Sequence, residues 1–113
     1  MQKIIFSAKG EGWDAQLDER FGRARGFLLY NEESQTLTWH SNQENLNAAH
    51  GAGTQAAQFV INTGASVVIT GQIGPKAFSI LSKAGIKVFN SATAPIKQVY
   101  SAYKEGILKQ QST

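Results

Sequence analysis

The sequence predicts an α/β domain in which three helices cover both faces of a mixed five-stranded sheet of order 3-2-1-4-5. Residues 67–89, VVITGQIGPKAFSILSKAGIKVF, contain a β-branched run, a glycine-rich turn, an amphipathic stretch and a second apolar run in succession. That succession is typical of a strand–helix–strand unit. Three short apolar runs before residue 42, separated by polar segments, predict paired strands ahead of this unit.

The first three predicted strands are Lys3–Ala8, Phe27–Tyr30 and Thr36–Ser41. They are expected to form an antiparallel meander, because a turn-rich segment joins the second to the third and Leu37 and Trp39 alternate with polar residues. The polar segments 9–26 and 42–53 are too long for tight turns. Loops of that length in a compact domain are commonly either functional or mobile.

Two amphipathic stretches flank the fourth strand. The first predicted helix covers Thr54–Asn62 and stops at Gly64. The second begins with Pro75, a residue well suited to the first helical position because its missing N–H is not needed there. Gly85 supplies the left-handed stop of this helix.

The fourth and fifth predicted strands, Val67–Thr70 and Ile86–Phe89, lie on either side of the second helix. Thr93 is expected to cap a third helix that ends near residue 106. We expect residues 1–108 to form a single domain and residues 109–113 to form a flexible tail.

This topology predicts the position of a binding site. Right-handed crossovers through the first two helices make strands 4 and 5 parallel to strand 1, and the meander makes strand 3 parallel to it as well. The segments 9–26, 42–53, 71–74 and 90–94 then leave the sheet at one edge. Open α/β sheets bind ligands at the carboxyl ends of their strands, so the site is expected at this edge.

Composition excludes several kinds of protein. The chain of 113 residues has no cysteine, which excludes disulfides, thiolate metal sites and thiol nucleophiles. No apolar run has the length of a membrane span, and the N-terminus lacks the pattern of a signal peptide, so we expect a cytoplasmic protein. No nucleophile elbow, paired histidines or other acid–base set is present, which predicts that the protein is not an enzyme.

The net charge of +3 is unevenly distributed. Residues 1–69 hold five basic and seven acidic residues, whereas residues 70–113 hold six lysines and one glutamate. This asymmetry fits either solvated helix ends or an anionic partner. A nucleic acid is disfavoured, because the lysines form no dense stripe with interleaved aromatic residues.

The first long loop contributes four candidate binding residues: Arg20, Phe21, Gly22 and Arg23. Guanidinium groups suit bidentate contacts with anions, which favours a charged ligand over this loop. The alternative is that the arginines pair with Asp18 and Glu19 on the surface. Phe21 fits an apolar anchor for the loop better than a stacking platform.

The other candidates precede the first two helices: His50, Gly51, Gly53, Gly71 and Gly74. A helix start offers unpaired N–H groups and a positive dipole end, and glycine permits close approach of a ligand. Ordinary turn chemistry explains the glycines equally well. His50 is the candidate metal ligand, although a lone histidine is more often a cap or a solvent-facing residue.

Four blocks in order, LDERFGRARGF, HGAGTQAA, residues 67–89 and YKEGIL, resemble the dinitrogenase iron–molybdenum cofactor biosynthesis domain family over nearly the whole chain. The resemblance implies a ribonuclease-H-like three-layer α/β/α fold. It also implies a relation to small accessory proteins that bind or carry the nitrogenase cofactor or its iron–sulfur precursor.

Individual residues carry the resemblance. Phe21, Gly22 and Arg23 match the family pattern, whereas many members have a histidine, a candidate cluster ligand, where this chain has Arg20. His50 falls in the glycine block, and Gly71, Gly74 and Pro75 match the family's turn. A ribonuclease-H-like nuclease needs an aspartate in its first strand, and KIIFSA has none, so nuclease activity is excluded.

These observations predict a non-catalytic carrier or chaperone of an iron–molybdenum cofactor-type metallocluster or its iron–sulfur precursor, bound transiently. The expected partners are the anionic metallocluster and a cofactor-assembly protein, with no nucleic acid and no membrane. The alternative is a regulatory or protein-interaction module that binds a small anion or a partner protein. An enzyme acting on a small anionic substrate is a weaker possibility, because no acid–base set is present.

Overall fold

A computed structural model describes residues 1–46 and 51–112. The elements in chain order are β1 (Lys3–Ala8), β2 (Gly26–Asn31), β3 (Thr36–Ser41), α1 (Gln43–Leu46), α2 (Ala52–Thr63), β4 (Val67–Thr70), α3 (Pro75–Lys83), β5 (Lys87–Asn90), α4 (Ile96–Lys104) and β6 (Lys109–Gln110). No helix in this part of the chain is long and apolar enough to cross a membrane.

The strands form one mixed sheet of order β3-β2-β1-β4-β5-β6. β1 pairs antiparallel with β2 and parallel with β4, so that Phe6 stands opposite Leu28 on one side and Ile69 on the other. β4 continues parallel to β5. All four residues of β4 are buried, because a central parallel strand is covered on both faces.

The sixth strand corrects the prediction of a five-stranded sheet. Residues 109–113 are expected as a flexible tail, but Lys109–Gln110 pairs antiparallel with the end of β5. The Gln111 N–H donates to the Val88 carbonyl oxygen at 2.8 Å, and the Asn90 amide donates to Gln111 Oε1 at 3.0 Å. These partners lie about twenty residues earlier in the chain, so local sequence gives no sign of the pairing.

The helices also differ from the prediction. A four-residue helix, α1, follows β3 inside a segment that is predicted to be a loop. The last helix begins at Ile96 rather than after a Thr93 cap, with Pro95 in the capping position and no side-chain cap hydrogen bond. Proline fits there because it needs no N–H donor.

Two apolar clusters place the helices in layers. One face of the sheet packs against α2 and α3, through residues such as Ile5, Val60 and Leu81. The opposite face packs against α4, through residues such as Phe6 and Val99. The fold is therefore a mixed α/β architecture with helices on both faces of one sheet. The carboxyl ends of β1, β3 and β4 point to the same edge, which positions the site.

Candidate functional site

An open cleft of about 480 Å³ lies at this edge of the sheet. Its lining residues come from the loop after β1, the start of α2 and the turn after β4: Arg20, Phe21, Gly22, Arg23, Gly51, Ala52, Gly53, Gln72, Ile73 and Gly74. An adjoining depression shares five of these residues and extends to Thr54, Pro75, Lys76 and Ala77. We call the two together the edge cleft.

Glycines bring the backbones around the edge cleft into contact. A Cβ on Gly22 would stand 2.7 Å from both the N and the Cα of Gly53, a separation that any side chain would violate. A Cβ on Gly71 would stand 2.6 Å from the carbonyl oxygen of Glu19. These two positions therefore join the first loop to α2 and to the end of β4, because only glycine permits such an approach.

Backbone hydrogen bonds reinforce the second junction. The Phe21 N–H donates to the Gln72 carbonyl oxygen at 3.1 Å, and the Gln72 N–H donates to the Glu19 carbonyl oxygen at 2.7 Å. The Phe21 ring is 2% exposed and lies 5.5 Å from the Phe27 ring, centroid to centroid. Phe21 is thus an apolar anchor beneath the cleft, as the sequence favours.

Four buried polar side chains hold the first loop from below: Ser7, Asp18, Asn42 and Thr70. Ser7 Oγ lies 2.7 Å from the Asp18 carbonyl oxygen and 2.7 Å from Thr70 Oγ1. The Asn42 amide donates to the carbonyl oxygens of Gly22 at 3.1 Å and of Ala24 at 2.9 Å. Because each of these four side chains has a partner in or beside this loop, internal hydrogen bonds hold the loop in one conformation.

The two arginines of the edge cleft are held differently. Arg20 is exposed, and its Nε lies 3.3 Å from Asp18 Oδ1, a contact that raises the pKa of Arg20 above its usual value. Arg23 is half-buried and donates to the carbonyl oxygens of Asn45 at 3.3 Å and Leu46 at 3.4 Å. Arg20 and Arg23 are therefore both lining residues of the edge cleft, and each guanidinium group also contacts an acceptor of the protein.

Two helices begin at the edge cleft. The first intrahelical hydrogen bond of α2 runs from the Gln55 N–H to the Gly51 carbonyl oxygen, at 3.0 Å. In α3 the corresponding bond runs from the Phe78 N–H to Gly74, also at 3.0 Å. The N–H groups that precede each bond have no partner within their helix, and the helix dipole makes both ends positive.

The charge of the edge cleft has one sign. Its described lining residues include the cationic side chains of Arg20, Arg23 and Lys76 and no carboxylate. A separate cleft of about 520 Å³ lies between β3, α1 and α2, bordered by Asn42, Gln43, Glu44 and the Phe59 ring among others. It lacks a basic side chain among its described lining residues, so the edge cleft is the better match for an anion.

Most of the predicted site residues come together. Those that line the edge cleft are Arg20, Phe21, Gly22, Arg23, Gly51, Gly53 and Gly74. Gly71 lies beside the cleft, packed against Glu19, and is not among the described lining residues. His50, the predicted metal ligand, lies outside the described residues. Across residues 1–46 and 51–112, no three His, Asp or Glu side chains are grouped to hold a metal ion.

Sequence reasoning missed several residues that build the cleft: Asn42, Thr54, Gln72, Ile73 and Lys76. It named Asp18 as a possible partner of the loop arginines, and the structure shows that pairing for Arg20. Gln72 and Ile73 lie between two glycines that the sequence does single out, so their place in the turn could have been found. Asp18 accepts from the N–H two residues later, at Arg20, which is the pattern of an Asx turn. That pattern was available in the sequence.

Comparisons with known proteins agree with this fold. A family model described as dinitrogenase iron-molybdenum cofactor matches residues 1–106. An uncharacterized protein of Methanocaldococcus jannaschii is 32% identical over 96 residues, which is 83% of this chain and 81% of that protein.

Solved structures of other proteins are also similar to the structure of this chain. The apo form of the orange protein from Desulfovibrio gigas has a TM-score of 0.93 and 36% identity, and the match covers 99% of this chain and 94% of that one. A NifB-like protein from Thermotoga has a TM-score of 0.87 and 27% identity, over 100% and 96% of the two chains.

Proposed function

The chain belongs to the dinitrogenase iron–molybdenum cofactor family, and on that premise we propose that it is a small non-catalytic carrier or chaperone of an anionic metallocluster. The cargo is the iron–molybdenum cofactor or its iron–sulfur precursor, and its binding site is the edge cleft. The observation that carries the proposal is the charge of this cleft, where three cationic side chains and two helix starts converge and none of the described lining residues is acidic.

The cationic side chains and the helix starts of the edge cleft favour an anionic ligand. Guanidinium groups donate in a fixed fork to anionic acceptors, and N–H groups at a helix start interact favourably with negative charge. Each effect is modest where solvent is present, so several of them must act together. The four buried polar side chains support the proposal, because a loop that is already ordered loses little conformational entropy on binding.

The donor set indicates how the cargo would be held. The chain has no cysteine, and protein-held iron–sulfur clusters normally depend on several thiolates. We therefore propose retention by charge and hydrogen bonds, which allows release to the next protein. His50 is the remaining side chain proposed to ligate a metal atom of the cargo.

Two similar proteins support a role with a metallocluster. One is a NifB-like protein, and another, the orange protein, is known in an apo form. We further propose a cytoplasmic location, a ribonuclease-H-like classification of the fold, and a cofactor-assembly protein as the partner that delivers or receives the cluster.

Anaerobic gel filtration with isolated iron–molybdenum cofactor tests the proposal. We expect iron and molybdenum to elute with the wild-type protein, and less metal to elute with Arg23→Ala or Lys76→Ala, because each removes a charge from the edge cleft. Lys87→Ala, an exposed β5 lysine that does not line the cleft, is the matched control. His50→Ala tests the proposed ligand in the same assay.

Metal that elutes free of the wild-type protein would contradict the carrier proposal. A parallel thermal-shift series with inorganic phosphate separates the alternative function. Stabilisation by phosphate without any binding of the cofactor would favour a regulatory module for small anions.

A further inference from the structure

Among the described residues, Asp18 is the one carboxylate that is completely buried, with an exposed fraction of 0%. Burying a charge is unfavourable unless hydrogen bonds and an opposite charge compensate it. Asp18 has both kinds of partner. Oδ1 accepts from the Arg20 N–H at 3.1 Å and from Arg20 Nε at 3.3 Å, and Oδ2 accepts from the Arg25 N–H at 3.2 Å.

Arg20 contacts Asp18 through Nε and not through a terminal nitrogen of its guanidinium group. A guanidinium group has five N–H donors, of which one is on Nε and four are on Nη1 and Nη2. In the part of the chain that the structure describes, Asp18 is the only acceptor that contacts the Arg20 guanidinium. The side chain of Arg20 is 55% exposed, and Arg20 is one of the lining residues of the edge cleft. Both terminal nitrogens therefore remain available to a ligand.

We propose that Asp18 is a positioning residue, which fixes Arg20 through Nε so that Nη1 and Nη2 form a two-donor fork facing the edge cleft. This inference rests on the proposed function and deepens it. The ligand group that such a fork takes is an oxyanion with two adjacent acceptor atoms, such as a carboxylate.

A purely structural role would leave part of this geometry unexplained. An uncharged Asn or Ser can accept from the backbone N–H groups that end a turn, without the penalty of a buried charge. A charged acceptor is needed when the partner is itself a cation whose position matters. The contact with Arg20 Nε supplies that reason, because it joins the buried charge to the exposed side chain.

The first test needs no ligand. We expect the Arg20 Nε–H to exchange with solvent more slowly than the Arg25 Nε–H in nitrogen-edited NMR spectra of the wild-type protein, by about tenfold. Arg25 is the matched control, since its guanidinium contacts no acceptor among the described residues. Equal exchange of the two groups would overturn the proposal.

The second test measures affinity for isolated iron–molybdenum cofactor under anaerobic conditions. We expect Arg20→Ala and Asp18→Asn each to weaken binding about tenfold, and the double variant to be no weaker than Arg20→Ala alone. Additive losses would show that Asp18 acts without Arg20 and would overturn the proposal.

Arg20→Lys covers the case in which Asp18→Asn does not fold. Lysine keeps the charge and lacks the fork, so we expect the same loss as for Arg20→Ala, whereas wild-type affinity in Arg20→Lys would contradict the fork. If the wild-type protein binds no cofactor, the proposed function fails. The exchange measurement still decides whether Asp18 positions Arg20.

Discussion

Gly22 and Gly53 lie in direct backbone contact, so that a Cβ on Gly22 would stand 2.7 Å from both the N and the Cα of Gly53. The first residue belongs to the loop after β1, and the second to the first turn of α2. Their contact joins the two segments that supply most of the edge cleft. The position of the loop therefore depends on the absence of a side chain at one residue.

Replacement of Gly22 tests this contact. We expect Gly22→Ala to lower the free energy of unfolding by about 1–3 kcal/mol, because the added methyl group meets backbone atoms that cannot rotate away. Urea titration followed by tryptophan fluorescence measures the change. Gly10→Ala is the control, since a Cβ there would meet only Ala15 Cβ at 3.9 Å. Equal stability of the two variants would contradict the close approach.

Gly74 offers the opposite situation. A Cβ there would meet nothing within 4 Å, and its φ of −71° suits any residue. We expect Gly74→Ala to reduce stability by at most about 1 kcal/mol, the difference between glycine and alanine at a helix cap. The methyl group would stand in the edge cleft, so binding of isolated cofactor should weaken although the fold is kept. Unchanged binding would place the ligand elsewhere.

Asn42 supports the first loop from the end of β3. We expect Asn42→Ala to lower the free energy of unfolding by about 1–3 kcal/mol, because two carbonyl oxygens lose their donor. Asn42→Asp should be less stable still at pH 7, since its carboxylate would face the same two oxygens. Chemical denaturation measures both, with Asn62→Ala on the exposed face of α2 as control. Wild-type stability of Asn42→Asp would argue against these hydrogen bonds.

A carboxylate at the opposite edge of the sheet gives a pH-dependent prediction. The Tyr100 hydroxyl donates to Glu32 Oε2 at 2.6 Å, and Lys104 Nζ donates to the same oxygen at 3.0 Å. The Tyr100 hydrogen bond, with smaller contributions from Lys104 and the Gln2 N–H, lowers the pKa of Glu32 from its usual 4.5 to about 2. The folded state therefore binds its proton more weakly than the unfolded state.

The stabilisation by Glu32 is fully present above pH 4.5 and is lost as the pH falls toward 2. We expect Glu32→Gln to be about 1–2 kcal/mol less stable than the wild type at pH 6, after allowance for solvent screening, and the difference to vanish near the folded pKa. Urea titrations across this range measure it, with the exposed Glu33→Gln as control. A difference independent of pH would contradict the ionised state.

Much of the fold follows from local pattern. The β-branched run of β4 identifies a strand that is buried on both faces, because such a strand is apolar at nearly every position. The alternation of Leu37 and Trp39 with polar residues identifies β3 as a strand that is buried on one face. β6 shows neither of these sequence patterns. Its two residues are exposed and polar, and its pairing depends on contacts with the distant residues Val88 and Asn90.

The position of the candidate site was predictable from the sequence, whereas the environment of its individual side chains was less so. Topology places the glycine-rich turns and the arginine loop at one edge, and the structure gathers them in one cleft. The burial of Asp18 was not predictable from composition, because a carboxylate next to Glu19 is typical of a solvated surface. Its environment depends on Ser7 and Arg25, which lie 11 and 7 residues away in the sequence.

The most direct test of the account is an NMR map of the wild-type protein with isolated iron–molybdenum cofactor under anaerobic conditions. A bound iron cluster broadens the signals of nearby amides, so we predict losses centred on residues 20–23, 50–54, 72–74 and 76–77, with the amides of β3 and β6 retained. Broadening centred on Glu32 and Tyr100, or none at all, would contradict the claim that the edge cleft receives an anionic cluster.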